Sequence, residues 1–352
     1  MIDAQEALRK AFLNVAGMSG LAPLAKPFLG GVGAILMLHS VTAAPPRPSG
    51  ANQHLTITPR FLDQLLETMK RSGYALVSMD EAIEGLKSPG ASGHFAAITL
   101  DDGFRDNLTE ALPVFEAHAA PFCIYIAPAL IDGSVSLWWE VLEEIVASRD
   151  LFYLTTPEGR VQIDCSRPAK RAESLKRLQE YLTIDVKETD QQRVLGDIAA
   201  QAAFDIKSFG RGRLLGWDEI RFLATHPLAT IGAHTVSHAN LARLTEDQAR
   251  REIREAARII KTEIGFSPTH MAYPYGGAGA VGKREAALAK EAGFASAVTT
   301  RHGVLRAGHA EHLTALPRIS INGRYQRVNH VMTMLSGITT PLANSGKLTP
   351  TL

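Results

Sequence analysis

The sequence predicts an α/β fold built on a parallel sheet. Three features carry that expectation: short, nearly continuous apolar runs; helical apolar stripes between them; and acidic or histidine-bearing motifs directly after several runs. Parallel strands are covered on both faces, so they read as unbroken apolar runs rather than alternating ones. The chain has 352 residues, which suits one barrel-like domain with insertions. Hydrophobic residues make up 45% and charged residues 21%, the balance of a globular protein with a large core.

Residues 1–33 read as a helical lead-in. The start, Met1-Ile2-Asp3-Ala4-Gln5-Glu6, carries acids where a secretory signal needs bases. The apolar run 28–38 is too short for a membrane span. The stretch 7–28 is mildly amphipathic, with Arg9, Lys10 and Lys26. A helix packed over one end of the barrel is the expected role; peripheral contact with a membrane surface is the alternative. A cytoplasmic chain, membrane-peripheral at most, is expected.

Strands are predicted at 34–38, 75–78, 96–100, 122–126, 229–231, 271–273, 295–298 and 316–319. Thr58-Pro59 opens a helix, since Thr caps and Pro suits the first turn. Its stripe is Phe61, Leu65, Leu66 and Met69, and Gly73 closes it. Thr245 and Gln248 form a capping-box pattern ahead of Ala249, Ile253, Ala256, Ile260 and Ile264, and Gly265 ends that helix. A further helix runs over 283–292 and stops at Gly293. Strands alternating with helices imply parallel pairing.

The alternation breaks over 134–216. There Trp138-Trp139, a helix over 140–147, a hairpin 151–154/160–163 and helices over 169–182 and 189–204 form a mostly helical insertion on one loop. The end of the chain, 331–352, is set off as a tail, polar and loose from Pro341 onward. The formal net charge of +1 gives no bulk field for nucleic acid, and that class of partner is set aside. Two cysteines, Cys123 and Cys165, make neither a disulfide framework nor a cysteine zinc site.

The chemistry lies in four motifs. In Thr99-Leu100-Asp101-Asp102-Gly103, two acids sit at the end of an apolar run. Strand C-terminal ends are where parallel α/β folds build sites. Adjacent residues there point different ways, so one carboxylate can bind metal while the other acts as a base. A turn capped by Asp is the structural alternative. His234-Thr235-Val236-Ser237-His238 places two imidazoles four apart, on one face of a helix. Thr235 stands where zinc peptidases carry their Glu, so a base must come from the acid pair. One carboxylate and two imidazoles make a His₂Asp site with open positions. The loop Ala272-Tyr273-Pro274-Tyr275-Gly276-Gly277 can aim a backbone N–H at an oxyanion. Leu36-Met37-Leu38-His39 sets a histidine at the same end. The remaining histidines singled out (His54, His94, His118, His226, His302, His309, His312 and His330) read as surface residues.

Taken in order, the Asp-Asp, His-His and Tyr-Pro-Tyr-Gly motifs resemble the first three motifs of the polysaccharide deacetylase family, with NodB homology, also grouped as carbohydrate esterase family four. The resemblance covers about 35–321, with the insertion unmatched. It implies a distorted (β/α)₇ barrel over 34–330. It implies Asp101 as general base and Asp102, His234 and His238 as ligands of a divalent metal, zinc first, with Co²⁺, Ni²⁺ or Mn²⁺ as further candidates. It implies Tyr275 as oxyanion donor through its N–H, with Tyr273, Pro274 and Gly276 lining the substrate. The family's late Leu-x-x-His motif is not evident near the C-terminus. Leu36-Met37-Leu38-His39 lies at the start instead, as in a subset with permuted motif order resembling deacetylases of exported poly-N-acetylglucosamine. His39 is therefore assigned the acid. Ala272 occupies the place of the family's base-steadying Arg, and Arg318 is assigned as its substitute.

The expected activity is metal-dependent hydrolysis of the N-acetyl group of N-acetylhexosamine units in a glycan or oligosaccharide. The alternatives are a deacylase or deformylase of a lipid-linked aminosugar at the cytoplasmic membrane face, and a carbohydrate-binding pseudoenzyme. The partner is the glycan or aminosugar itself, and oligomeric state is left open.

Overall fold

Seven parallel strands close into a ring in the computed structural model, which describes residues 4–47, 49–88 and 94–352. Residues 1–3 of the expected lead-in lie outside the described residues. The strands are β1 (Gly33–Leu38), β2 (Ser40–Val41), β3 (Thr56–Ile57), β4 (Ala75–Val77), β5 (Phe95–Leu100), β6 (Phe122–Ile126), β7 (Leu151–Thr156), β8 (Gly159–Asp164), β9 (Ala229–Ala233), β10 (His270–Ala272), β11 (Ser296–His302) and β12 (Leu316–Ser320). The helices are α1 (Ala4–Met18), α2 (Leu21–Leu29), α3 (Pro59–Arg71), α4 (Met79–Lys87), α5 (Leu112–His118), α6 (Pro128–Ile131), α7 (Trp138–Ser148), α8 (Pro168–Glu180), α9 (Gln191–Gln201), α10 (Ile206–Gly210), α11 (Trp217–Ala224), α12 (Glu246–Ile264), α13 (Lys283–Glu291), α14 (Val328–Leu335) and α15 (Thr339–Ala343).

The ring order is β1-β12-β11-β10-β9-β6-β5, and β1 closes it by pairing with both β5 and β12. All eight runs expected as strands join this sheet. The run at β4 lies outside the ring, paired only with β5. β1, β5 and β6 are buried along their whole length, which is why their sequences do not alternate. The ring is distorted where β9 and β10 share a single bridge, Ala233 to Met271, and where the register slips between Val298 and His302. Leu38 pairs with Leu100, Leu100 with Ile124, and Ile126 with Ala233, so β1 and β5 end level and β6 and β9 end together two residues further on. Residues just beyond those ends converge on one face.

The helix signals act as expected. The Thr58 hydroxyl accepts the Phe61 N–H, and Gly73 follows α3 at φ 82. Thr245 and Gln248 cap α12 reciprocally, and Gly265 ends it at φ 89. Their apolar stripes are buried against the ring.

Between β6 and α11 the chain builds a layer of its own. Leu142, Ile145, Phe152, Leu178, Leu195 and Ile198 form a separate apolar cluster, to which Phe104 and Ala127 of the barrel contribute. The tail is not loose from Pro341 onward, contrary to expectation. Val331, Met334 and Leu335 of α14 are buried in the main core. The Pro350 carbonyl lies 3.2 Å from His309 Nε2, and Leu352 packs on the core. A polar composition concealed these few apolar anchors. His309 and His330 are buried, against expectation, because their rings meet local acceptors, the Pro350 carbonyl and Asn14 Oδ1. His270, which opens β10, is fully buried between Ser296 and Asp80. Among the described residues no helix is long and apolar enough to cross a membrane.

Candidate active site

Asp101 and Asp102 leave the end of β5 in different directions. The Asp101 N–H still donates to Leu38 of β1, so that residue stays in register with the ring. Asp102 adopts φ 73, a left-handed turn that costs a non-glycine residue about 1 kcal/mol or more. This turn separates the two carboxylates and lets them take different partners.

Asp101 faces Arg318 of β12. Nη1 and Nη2 donate to the two carboxylate oxygens, each at 2.7 Å, a bidentate pair. Arg318 also donates from Nη1 to Thr99 Oγ1 at 3.1 Å and from Nε to the Thr299 carbonyl at 2.9 Å. Both residues are buried. Burial alone would push the Asp101 carboxyl upward, but the guanidinium outweighs it and holds the group below the ordinary carboxylate range. Asp101 is therefore an anion fixed in place.

Asp102 faces the histidines. Its Oδ1 lies 3.5 Å from His234 Nε2 and 3.3 Å from His238 Nε2. The His234 Nδ1–H donates to the Ala272 carbonyl at 2.7 Å, which leaves Nε2 free to bind. Burial pushes His238 down, favouring the neutral ring that a metal requires. His234 to His238 is not helical. β9 ends at Ala233, and a turn follows with Thr235 at φ 61 and His238 at φ 58. Glu252 of α12 holds that turn by accepting the Val236 and Ser237 N–H groups and the Ser237 hydroxyl, at 2.9, 2.9 and 2.8 Å. The four-residue spacing serves a carboxylate-pinned loop here.

Of seven non-glycine residues at positive φ among those described, four are Asp102, Thr235, His238 and Tyr275. Strained backbone concentrates at this site, as it does where geometry is fixed for function.

Tyr275 sits at the site, and its backbone N–H meets no protein acceptor among the described residues. Tyr273 does not line the site. Its ring is in the core and its hydroxyl donates to the Thr314 carbonyl, because side chains two apart across Pro274 point differently. Pro274 and Gly276 shape the loop. Gly276 is at φ 59, and a Cβ there would lie 2.6 Å from the Thr300 nitrogen, so only glycine lets the loop touch β11.

His39 follows β1 within electrostatic reach of both Asp101 and Asp102. Its carbonyl accepts from Asn107 Nδ2 at 2.7 Å. Asp106 holds the next two residues through the Ser40 hydroxyl and the Val41 N–H, at 2.6 and 3.0 Å. Burial raises the Asp106 carboxyl to about 6. Beside this segment lies a cavity of about 470 Å³, lined in part by Ser40, Phe104, Asp106, Glu140 and Arg213.

The inserted layer reaches the site through α7 and α9. Trp138 Nε1 donates to the Tyr275 hydroxyl at 3.0 Å, and Gln191 donates to it at 3.4 Å. The Trp139 ring lies 4.9 Å from the His238 ring. Sequence reasoning located Trp138-Trp139 in the insertion without placing them here. It missed Glu252 and Asn107 entirely, because nothing near them in the chain marks their targets.

A divalent cation fits the donor set. One oxygen of Asp102 and one nitrogen from each histidine lie within 4.8 Å of one another, and all three residues are buried. Asp102 Oδ1 is a buried acceptor without a hydrogen-bond partner. A buried carboxylate oxygen without a partner, set between two imidazole nitrogens, is what a metal satisfies.

Residues 181–297 match the family described as polysaccharide deacetylase, whose members are hydrolases acting on amide bonds. The match takes in His234, His238 and Tyr275; Asp101, His39 and Arg318 fall outside it. No curated protein matches the chain. The fold is similar to the deacetylase PplD of Streptococcus pyogenes solved in complex with acetate, at 18% identity, over 86% of this chain and 97% of that one, TM-score 0.57. It is also similar to a de-N-acetylase from Aggregatibacter actinomycetemcomitans, at 13% identity, over 86% and 99%, TM-score 0.54. A third is IcaB from Ammonifex degensii, at 16% identity, over 86% and 97%, TM-score 0.53. At these identities the likeness is one of fold, the (β/α)₇ barrel.

Proposed function

We propose that this chain, which carries a polysaccharide deacetylase domain, removes N-acetyl groups from N-acetylhexosamine units of a glycan or oligosaccharide in a metal-dependent hydrolysis. The observation that carries this reading is the pairing of two differently treated carboxylates. Asp101 is held as an anion by Arg318, and Asp102 is turned toward two imidazoles.

Asp102, His234 and His238 would hold the ion, zinc or a similar divalent metal. Once bound, it supplies Lewis-acid polarisation of the amide carbonyl and a lowered pKa for water. Asp101 takes the proton of the attacking water, and Arg318 keeps its oxygens oriented as it does so. The Tyr275 N–H donates to the oxygen that gains charge as the carbonyl carbon becomes tetrahedral. His39, held by its own carbonyl and by the Asp106-anchored segment after it, gives a proton to the departing amine. Trp138 and Trp139 keep bulk water from this side of the site. A binding protein without catalysis would have no need of the buried Asp101–Arg318 pair.

The test is acetate release from chito-oligosaccharides by the protein loaded with zinc, cobalt, nickel or manganese. Wild type is expected to turn over. Asp101→Asn is expected to bind metal normally with kcat lower by about 10²–10⁴-fold. A wild-type protein that binds no divalent metal, or that binds one and releases no acyl group from any aminosugar, overturns the reading.

A further inference from the structure

The N-terminal helices are apolar on two opposite sides. One side is accounted for: Leu13, Ala16 and Ala22 are buried, and α1 packs along α14. On the other side Leu8, Ala11, Val15 and Met18 follow one another at three- and four-residue spacing, a single arc of α1. Leu21, Leu24 and Phe28 continue the spacing on α2. These side chains face solvent: Leu8 is 73% exposed, Met18 86%, Leu24 71% and Phe28 79%. A surface helix is ordinarily polar there. Six of the thirteen large exposed hydrophobic residues among those described fall within these two helices, too many in one place for scattered surface residues.

The charge around this face has one sign. Residues 4–29 hold Arg9, Lys10 and Lys26 against Glu6 alone. Glu6 is already bound, at 3.0 Å to Lys10 and 3.0 Å to Arg324. Residues 327–352, which include α14 beside these helices, add Arg327 and Lys347 and no acid. These two segments thus carry five cations against one neutralised acid, in a chain whose net charge is only +1; Lys10 pairs with Glu6 and Lys26 lies over the Tyr74 ring, while Arg9 and Arg327 are exposed.

We propose that this face docks on an anionic lipid membrane. Leu8, Val15, Met18, Leu21, Leu24 and Phe28 enter the boundary between headgroups and acyl chains. Arg9 and Arg327, exposed on and beside these helices, meet the lipid phosphates. A second copy of the chain is the poorer occupant, because a two-fold contact would set cations against cations, with no free acid between them among the described residues of these segments. The Glu6–Arg324 pair ties the start of α1 to the segment after β12, at the end of the barrel that carries the site. The inference stands whether or not the deacetylase reading holds.

Cosedimentation of the full chain with vesicles tests it. Binding to phosphatidylglycerol–phosphatidylcholine vesicles at low salt is expected, weaker by about tenfold or more on phosphatidylcholine alone. Leu24→Glu/Phe28→Glu is expected to lower partitioning by roughly a hundredfold, with an unchanged Tm because both side chains are exposed. No binding to the anionic vesicles, or equal binding by the double variant, overturns the proposal. So does a dimer in solution that these substitutions dissociate, which would assign the face to a second copy.

Discussion

At the scale of single residues, the carboxylate proposed as the base depends on how it is held. Arg318→Lys keeps the positive charge but loses the fork that contacts both Asp101 oxygens. With that hold weakened, burial pushes the Asp101 carboxyl up, so the base is protonated at a higher pH. The acidic limb of kcat/KM is expected to move to higher pH, with turnover lower even on the plateau. An unmoved limb would show that Arg318 does not act on the base. That Asp101, Asp102, His234 and His238 gather at one strand end was legible in the sequence, because identity and adjacency alone marked them. Arg318 was legible more weakly, as a charge at the end of an apolar run. Glu252 and Trp139 were not legible, since each acts across space from an element whose own pattern is that of an ordinary helix. Tyr273 was misread as a lining residue because a motif gives residue order, not side-chain direction.

At the scale of elements, caps and apolar stripes carried almost all that the chain revealed. Thr58 and Thr245 open helices, and Gly265 and Gly293 close them, through local backbone chemistry that sequence displays directly. The segment 234–238 shows where this runs out. Its spacing is helical, yet it follows a strand and is fixed by a carboxylate from α12. Glu252→Gln keeps the size and removes the charge that accepts three hydrogen bonds. Metal affinity is expected to fall about 10–100-fold while the barrel stays folded, as seen by calorimetric titration beside circular dichroism. Unchanged affinity would mean that the loop holds its own shape. The inserted layer was legible as a break in alternation; its separate apolar cluster and its two tryptophans over the site came only from packing.

At the scale of the whole molecule, stability is expected to fall in mild acid. Burial holds His302 and His54 neutral, with both pushed down to about 4. In the unfolded chain each titrates at its ordinary value of 6.5. As pH falls, the unfolded chain takes up these protons first, so stability is full above about pH 6.5 and is lost toward pH 4. His302→Gln removes one of these groups. Between pH 7 and pH 5 the wild type is expected to lose about 1–2 kcal/mol more than the variant in urea unfolding. Parallel curves for the two proteins would contradict this.

The ring has one further consequence, in the order of events during synthesis. β1 emerges first, but one of its two neighbours, β12, is the last strand made among those described. At about 5–20 residues per second, β1 waits on the order of tens of seconds beside β5 with one edge unpaired. His39 and Asp101 are present throughout that wait. Arg318 is not, and neither is the seam that β12 closes. The nascent protein thus keeps an open strand edge and an unpaired Asp101 until roughly the final tenth of the chain appears, and then gains its sealed barrel and its anchored carboxylate in one step.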